Sequence, residues 1–135
     1  FDLHLEVLLQ SATMRDQGVA PVVISATRFD DMYWSAAQQI AHMTCNGAHL
    51  RPGDLFASGT VSGPTPGSEG SLIELTWRGE RPLELPDGSG RAFLRDGDMV
   101  TLRGWAGSDP ARRIGLGSVS GTVLPSDDHE EAFLT

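Results

Sequence analysis

The residues best suited to chemistry are hydroxyl and carboxylate side chains in and just after a glycine-rich stretch, residues 58–70, called here the glycine segment. Four glycines interrupt it, a density that does not suit a helix interior. Because glycine has no Cβ, backbone amides can approach a ligand closely, and the hydroxyls of Ser58, Thr60 and Ser62 add hydrogen-bonding groups. The glycine segment therefore predicts a turn that presents polar groups to a ligand oxygen.

A single carboxylate, Glu74, follows the glycine segment. It lies in the run Leu72–Trp77, whose alternating character predicts a strand with Glu74 on one face. From these residues alone, a carboxylate on a strand face is typical of an ordinary solvent-facing charge. A role in catalysis needs a partner that this stretch does not provide.

Residues 1–10 alternate between apolar and other side chains, which predicts a half-buried strand with His4 and Glu6 on the same face. A His-x-Glu pair can supply two metal ligands, but no third or fourth ligand follows at a supporting spacing. We therefore interpret the pair as part of a solvated strand face. We assign no catalytic role to His42, which is typical of a helix C-terminal end, or to the other histidines.

The elements that must position these residues are mostly strands. Residues 11–20 read as a loop and residues 21–26 as a second strand. Thr27 and Asp30 have the spacing of a capping box, which predicts the one main amphipathic helix from there to a stop at Asn46-Gly47, packed on a sheet.

The second half of the chain predicts a hairpin over residues 81–94, a strand over 99–105 and two closing strands, 112–117 and 119–124. Residues 126–135 read as an acidic tail. The predicted fold class is therefore mixed and β-rich, α+β, within one domain spanning residues 1–135.

Composition excludes several classes of function. The net charge is −8, and the ten basic residues include no lysine, which argues against nucleic acid and anionic membrane surfaces as partners. Cys45 is the one cysteine, and no apolar run approaches a membrane span, so we expect a soluble, cytoplasmic protein. The chain opens without methionine in a strand-like pattern, which we interpret as a piece of a longer polypeptide.

The stretch from Leu50 to Pro64, L-R-P-G-D-L-F-A-S-G-T-V-S-G-P, resembles the fumarylacetoacetase family. The run 32–34 with the glutamines that follow, the Leu72–Trp77 run, F-L-R-D-G-D at 93–98 and R-I-G-L-G at 113–117 occur in the family's order. The P-G-D…G-T pattern is shared across the wider superfamily, whereas G-T-x-S-G-P with L-x-E-L-x-W is much narrower. The resemblance covers the first helix to Pro125 and corresponds to the C-terminal part of the family's catalytic domain.

The resemblance implies a β-roll or sandwich that works as a homodimer. It implies metal-assisted hydrolysis of a carbon–carbon bond in a β-diketone, 4-fumarylacetoacetate, giving fumarate and acetoacetate in tyrosine and phenylalanine catabolism. Glu74 matches the carboxylate that orients a base histidine, and Thr60 matches a residue that contacts the substrate. The divalent cation, Mg²⁺ or Ca²⁺, and the base would be held by residues outside this chain, so we expect the chain alone to be inactive.

Two other interpretations remain open at this point. The first is an isomerase or decarboxylase of dicarboxylic oxo acids on the same fold, against which the Ser-Gly-Pro after Thr60 speaks. The second is a non-catalytic β-rich binding module, which predicts that no histidine and carboxylate cluster precedes residue 1 in a longer protein.

Overall fold

The computed structural model describes residues 1–126, so the predicted acidic tail lies outside the described residues apart from Ser126. The described strands are β1 (Leu3–Gln10), β2 (Val22–Arg28), β3 (Leu83–Glu84), β4 (Gly90–Arg91), β5 (Met99–Ala106) and β6 (Ile114–Thr122). The described helices are α1 (Ala12–Asp16), α2 (Ala36–Thr44) and α3 (Leu72–Leu75), with single 3₁₀ turns at Phe29–Asp31 and Pro110–Arg112. This sheet-dominated arrangement confirms the predicted α+β class.

The main sheet has four antiparallel strands in the order β2-β1-β5-β6, and β3 pairs with β4 in a separate hairpin. The alternation predicted for β1 is confirmed, because His4 and Glu6 share a face. On that face His4 stacks on Trp105, with ring centroids 5.3 Å apart, and Glu6 accepts a hydrogen bond from Arg103 Nε at 2.6 Å. Both side chains therefore contact the neighbouring strand β5.

The two closing strands predicted for residues 112–124 are in fact one strand, β6. Its pairing with β5 shifts register between Arg103 and Trp105, and Gly117 there has a φ of +86°. A β-bulge absorbs the extra residue, so the chain continues past its glycines without ending the strand. Gly117 therefore marks the bulge.

The predicted loop at 11–20 is wrong in its first half, because Ser11 caps the short helix α1. The Ser11 hydroxyl accepts a hydrogen bond from the Met14 amide at 3.0 Å, which is N-cap geometry. Helix α1 places Met14 against Leu9 and Leu85, and these three side chains form the buried cluster of the described chain. The core is small, since Leu8 is the one other buried apolar residue within 1–126.

The start predicted for the main helix is also wrong. Thr27 lies in β2, and the capping box is formed instead by Ser35 and Gln38, at the start of α2. Pairing of β2 with β1 continues to Arg28, so tertiary strand pairing wins over the local Thr27–Asp30 capping signal. The predicted end near Gly47 is confirmed, but no residue of α2 is buried, so the predicted packing of this helix on the sheet is not found.

No helix within residues 1–126 is both long enough and apolar enough to cross a bilayer.

A buried ion pair joins the β3–β4 hairpin to β5. Arg91 donates from Nε to Asp98 Oδ2 at 2.8 Å and from its second amino group to Oδ1 at 3.1 Å. The side chains are only 7% and 1% exposed, and Asp98 also accepts the Arg95 amide at 2.9 Å. Two parallel bonds fix the guanidinium and the carboxylate in one geometry.

The turn of the same hairpin is tied to α1 through Asp87. Its carboxylate accepts a hydrogen bond from the Ser11 hydroxyl and from both the amide and the hydroxyl of Ser89. These donors, led by Ser11, lower the pKa of Asp87 to about 2. The negative charge therefore holds the hairpin turn against the N-cap residue of α1.

We predict that Asp98→Asn lowers the free energy of unfolding by about 3–5 kcal/mol, because the Arg91 charge is left buried without its partner. Glu6→Gln is the matched control, since it breaks the partly exposed pair with Arg103 and is expected to cost at most about 1 kcal/mol. Urea unfolding of the three proteins measures both losses. Equal losses in the two variants would show that the buried pair contributes no more to stability than the partly exposed one.

We predict that the stability lost in Asp87→Asn depends on pH. The folded chain favours ionised Asp87, so this contribution is full above the unfolded pKa of 3.8 and disappears as pH falls towards the folded value of about 2. Urea midpoints of the wild-type chain and the variant are therefore expected to differ above pH 4 and to converge between pH 4 and 2. Parallel curves over that range would contradict the assignment.

Candidate functional site

A turn leads into the glycine segment. The Arg51 amide donates to Asp54 Oδ2 at 2.8 Å, and the Asp54 amide donates back to the Arg51 carbonyl at 3.1 Å. Gly53 between them has a φ of +95°, a left-handed conformation that glycine adopts without strain. The Pro-Gly-Asp sequence is thus a closed turn ahead of the candidate site.

Two glycines allow the chain to cross itself. A Cβ built on Gly63 would lie 2.7 Å from Asp31 Oδ2, and one built on Gly70 would lie 2.6 Å from the Thr60 methyl group and overlap the Val61 carbonyl oxygen. The backbone does make close approaches here, but to other parts of the chain, and the predicted approach to a ligand stays a prediction. The absence of a side chain at Gly70 allows residues 60 and 61 to pack against it, and its absence at Gly63 leaves room for Asp31 and Ser68.

The glycine segment is fastened to the outer side of β2. The Ala26 amide donates to the Gly67 carbonyl at 3.0 Å, and the buried Ser25 hydroxyl donates to the Glu69 carbonyl. Ser68 is also buried, and its hydroxyl accepts the Thr65 amide at 3.1 Å. These bonds hold an otherwise irregular segment on the sheet.

The strand predicted for Leu72–Trp77 is wrong, because Leu72–Leu75 is the short helix α3. The Leu75 amide donates to the Ser71 carbonyl at 3.1 Å, and the Thr76 amide donates to the Leu72 carbonyl at 2.9 Å. Two sequence signals favoured this helix: Leu72, Leu75 and Thr76 have helical spacing, and Ser71 precedes Glu74 by the three residues of a capping box. Glu74 therefore projects from one helical turn.

A buried hydroxyl anchors α3 to the hairpin. Thr76 is fully buried, and its hydroxyl lies 2.9 Å from the Leu72 carbonyl and 3.1 Å from the Ala92 carbonyl. The same oxygen accepts the Gly79 amide at 3.1 Å. Because Ala92 adjoins Arg91, this contact connects the helix that carries Glu74 to the buried ion pair.

The chain leaves α3 through a left-handed turn. Trp77 and Arg78 have φ values of +50° and +60°, and Gly79 follows at +92°. A left-handed conformation costs a residue with a Cβ about 1–2 kcal/mol. The Trp77 ring is covered by the Arg81 guanidinium, whose carbon lies 4.5 Å from the ring centroid. The surrounding contacts therefore hold a strained turn directly after the candidate carboxylate.

Glu74 is exposed, but its carboxylate has a defined partner. Ser62 donates its hydroxyl to Glu74 Oε2 at 2.8 Å, and the same hydroxyl oxygen accepts the Gly70 amide at 3.0 Å. Thr60 is also exposed and contacts Gly70 through its methyl group. The structure thus brings Thr60 and Glu74 to one crossing point of the chain, formed by Ser62 and Gly70.

Two open cavities adjoin this crossing point. One of about 530 Å³ is lined by α3 and the turn after it, including Glu74, Arg78 and Glu80. The other, about 580 Å³, lies between the glycine segment and the apolar face of the sheet, where Leu116 and Val119 are more than half exposed. The candidate carboxylate therefore lies at the edge of a concave surface.

The described residues do not form a metal site. Within residues 1–126, no group of three or more His, Cys, Asp or Glu side chains could hold an ion. His4 contacts Asp2 and Ser108, and Glu6 is paired with Arg103. His42 lies in the last turn of α2, as its sequence position indicated. These residues therefore do not fit a metal ion.

Together these elements define a sheet-dominated α+β structure in which a self-crossing loop presents a hydroxyl and the short helix α3 presents a carboxylate. A family model described as "Fumarylacetoacetate (FAA) hydrolase C-terminal" matches residues 10–124. The chain therefore belongs to the fumarylacetoacetate hydrolase family, as its motifs indicated.

Relatives from distant eukaryotes agree with this assignment. The chain is 44% identical to proteins named fumarylacetoacetase from Arabidopsis thaliana and Homo sapiens, over 93% of its length in each case. It is 50% identical over 78% of its length to one from Caenorhabditis elegans. It spans only 28%, 29% and 25% of those three proteins, respectively.

We predict that Gly70→Ala displaces residues 60–62, because the new methyl group would overlap the Val61 carbonyl and press on Thr60. Overpacking of this kind is expected to lower the free energy of unfolding by about 1–3 kcal/mol. Gly121→Ala is the control, since no atom lies within 4 Å of a Cβ built there. Thermal unfolding and the amide chemical shifts of residues 60–62 are the measurements, and a Gly70 variant that matches the control in both would contradict the crossing geometry.

Proposed function

We propose that the full-length protein carrying this chain is a fumarylacetoacetase, which hydrolyses the carbon–carbon bond of 4-fumarylacetoacetate to fumarate and acetoacetate in tyrosine and phenylalanine catabolism. Support comes from the family match over residues 10–124 and from the name shared by relatives in plants and animals. The observation that supports a chemical role is the hydrogen bond by which Ser62 holds the Glu74 carboxylate beside the glycine segment. The relatives' name favours this reaction over isomerisation or decarboxylation of oxo acids.

Glu74 serves as the carboxylate that orients a histidine base. Hydrolysis of this bond requires a deprotonated water to attack one carbonyl, and the departing carbanion must be stabilised as an enolate. A carboxylate hydrogen-bonded to the imidazole fixes its tautomer and stabilises the imidazolium that forms. Ser62 donates to Oε2, and no donor within residues 1–126 is bonded to Oε1, so we assign the imidazole N–H to Oε1.

The histidine and the rest of the site come from parts of the protein outside this chain. Within residues 1–126, no hydrogen bond joins His4, His42 or His49 to Glu74, and the chain spans under a third of the relatives' length. Thr60, next to the Ser62–Gly70 crossing point, contacts the substrate through its hydroxyl or its backbone N–H. Without its partners, the chain holds half of a catalytic site.

The family is in general metal-dependent. Since residues 1–126 do not fit such an ion, its ligands lie outside the described chain, and we propose Mg²⁺ or Ca²⁺ as the ion. Bound near the substrate, a divalent cation polarises carbonyl oxygens. A homodimer in the cytoplasm is the proposed state of the whole protein.

We predict that Glu74→Gln in the full-length enzyme lowers kcat about 100-fold or more, because an amide cannot stabilise the imidazolium. Substrate affinity is expected to change little, since Glu74 acts on the base. Glu80→Gln, on the wall of the same cavity, is the control for loss of a nearby charge. Steady-state hydrolysis of 4-fumarylacetoacetate with Mg²⁺ or Ca²⁺ measures both variants, and wild-type turnover in Glu74→Gln would remove Glu74 from the mechanism.

A further inference from the structure

Ser62 occupies the point where the two ends of the glycine segment meet helix α3. Its hydroxyl donates its one proton to Glu74 Oε2 at 2.8 Å and accepts the Gly70 amide at 3.0 Å. Glu74 is twelve residues away in the chain, and Gly70 is eight residues away. The Ser62 hydroxyl therefore links the glycine segment to α3 through these two hydrogen bonds.

The direction of these two bonds decides what Ser62 can do. A serine hydroxyl has one proton to donate and two lone pairs. The Gly70 amide engages a lone pair and so turns the proton towards the carboxylate, and bonds linked in this way strengthen each other. Because the proton is committed to Glu74, Ser62 has no proton left to donate to a substrate oxygen.

Glu74 needs such a partner because its own surroundings leave it mobile. It is exposed, and the helix that carries it has only four residues. A glutamate side chain has several rotatable bonds, and freezing them costs conformational entropy unless a contact fixes one rotamer. Among residues 1–126, Ser62 is the hydrogen-bond partner of this carboxylate, so it selects the rotamer.

The geometry points to Ser62 as a positioning residue that holds Glu74 in the orientation in which Oε1 meets the base. This inference rests on the proposed function of Glu74 and assigns a second residue to it. Gly70 belongs to the same device, because only a residue without a Cβ places its amide against Ser62 while Thr60 and Val61 pack over it. Thr60 contacts the substrate, whereas Ser62 acts through the carboxylate.

The test uses five variants of the full-length enzyme: Ser62→Ala, Ser62→Cys, Ser71→Ala, Glu74→Gln and the double variant Ser62→Ala with Glu74→Gln. Ser62→Ala is expected to lower kcat about 10-fold with KM within about 2-fold of wild type, since positioning affects the chemical step. Ser62→Cys keeps the size of the side chain with a weaker donor, so an intermediate kcat is expected. Ser71→Ala removes a hydroxyl that makes no cap hydrogen bond to α3, and wild-type kcat is expected.

The double variant separates this inference from the proposed function. If Ser62 acts through Glu74, Ser62→Ala has no further effect on kcat once Glu74→Gln is present. Wild-type turnover of Glu74→Gln alone would overturn the proposed function. An impaired Glu74→Gln variant combined with additive loss in the double variant would overturn only the positioning role. A rise in KM without loss of kcat in Ser62→Ala, or wild-type kcat in Ser62→Cys, would also overturn it.

Discussion

The buried ion pair between Arg91 and Asp98 fixes the part of the chain on which the candidate carboxylate depends. It holds the β3–β4 hairpin at the start of β5. Ala92, which follows Arg91, accepts a hydrogen bond from the buried Thr76 hydroxyl at the end of α3. The helix that carries Glu74 is therefore anchored by a fully buried hydrogen bond. The carboxylate itself is held by Ser62, which lies in a loop that can cross itself only because glycine has no side chain. Rigidity at an exposed carboxylate thus originates in contacts that are buried or crowded.

Regular elements were predictable where hydrophobic period and pairing agree. The alternation in β1 and β5 and the Asp-Gly hairpin are local signals that tertiary structure leaves unchanged. The helix boundaries were not predictable, because two capping-box patterns occur close together. Thr27 does not start the helix, since β2 pairs with β1 as far as Arg28 and includes Thr27. In α3, apolar alternation suggested a strand, although the capping-box spacing at Ser71 and the left-handed turn at Trp77 and Arg78 belong to a helix end.

The candidate site was predictable only in part. Glu74 and Thr60 were identified from motifs that resemble the family, and both remain predictions for catalysis and substrate binding. Ser62 was expected to present its hydroxyl to a ligand oxygen, and its proton instead goes to Glu74. No sequence pattern indicated that the Thr76 hydroxyl anchors α3 to the hairpin. Both roles are hydrogen bonds between segments whose proximity depends on the fold, so spacing in the sequence could not reveal them.

In the proposed function, the catalytic site is divided between this chain and the rest of the protein. Residues 60–74 would provide the substrate contact and the carboxylate held by Ser62, while the base and the metal ligands would come from elsewhere. The decisive measurement is a crystal structure of a full-length protein carrying this chain. We expect an imidazole nitrogen from outside residues 1–135 within about 3 Å of Glu74 Oε1, with Ser62 still bonded to Oε2. A Glu74 carboxylate that faces bulk water, with no histidine in reach, would contradict it.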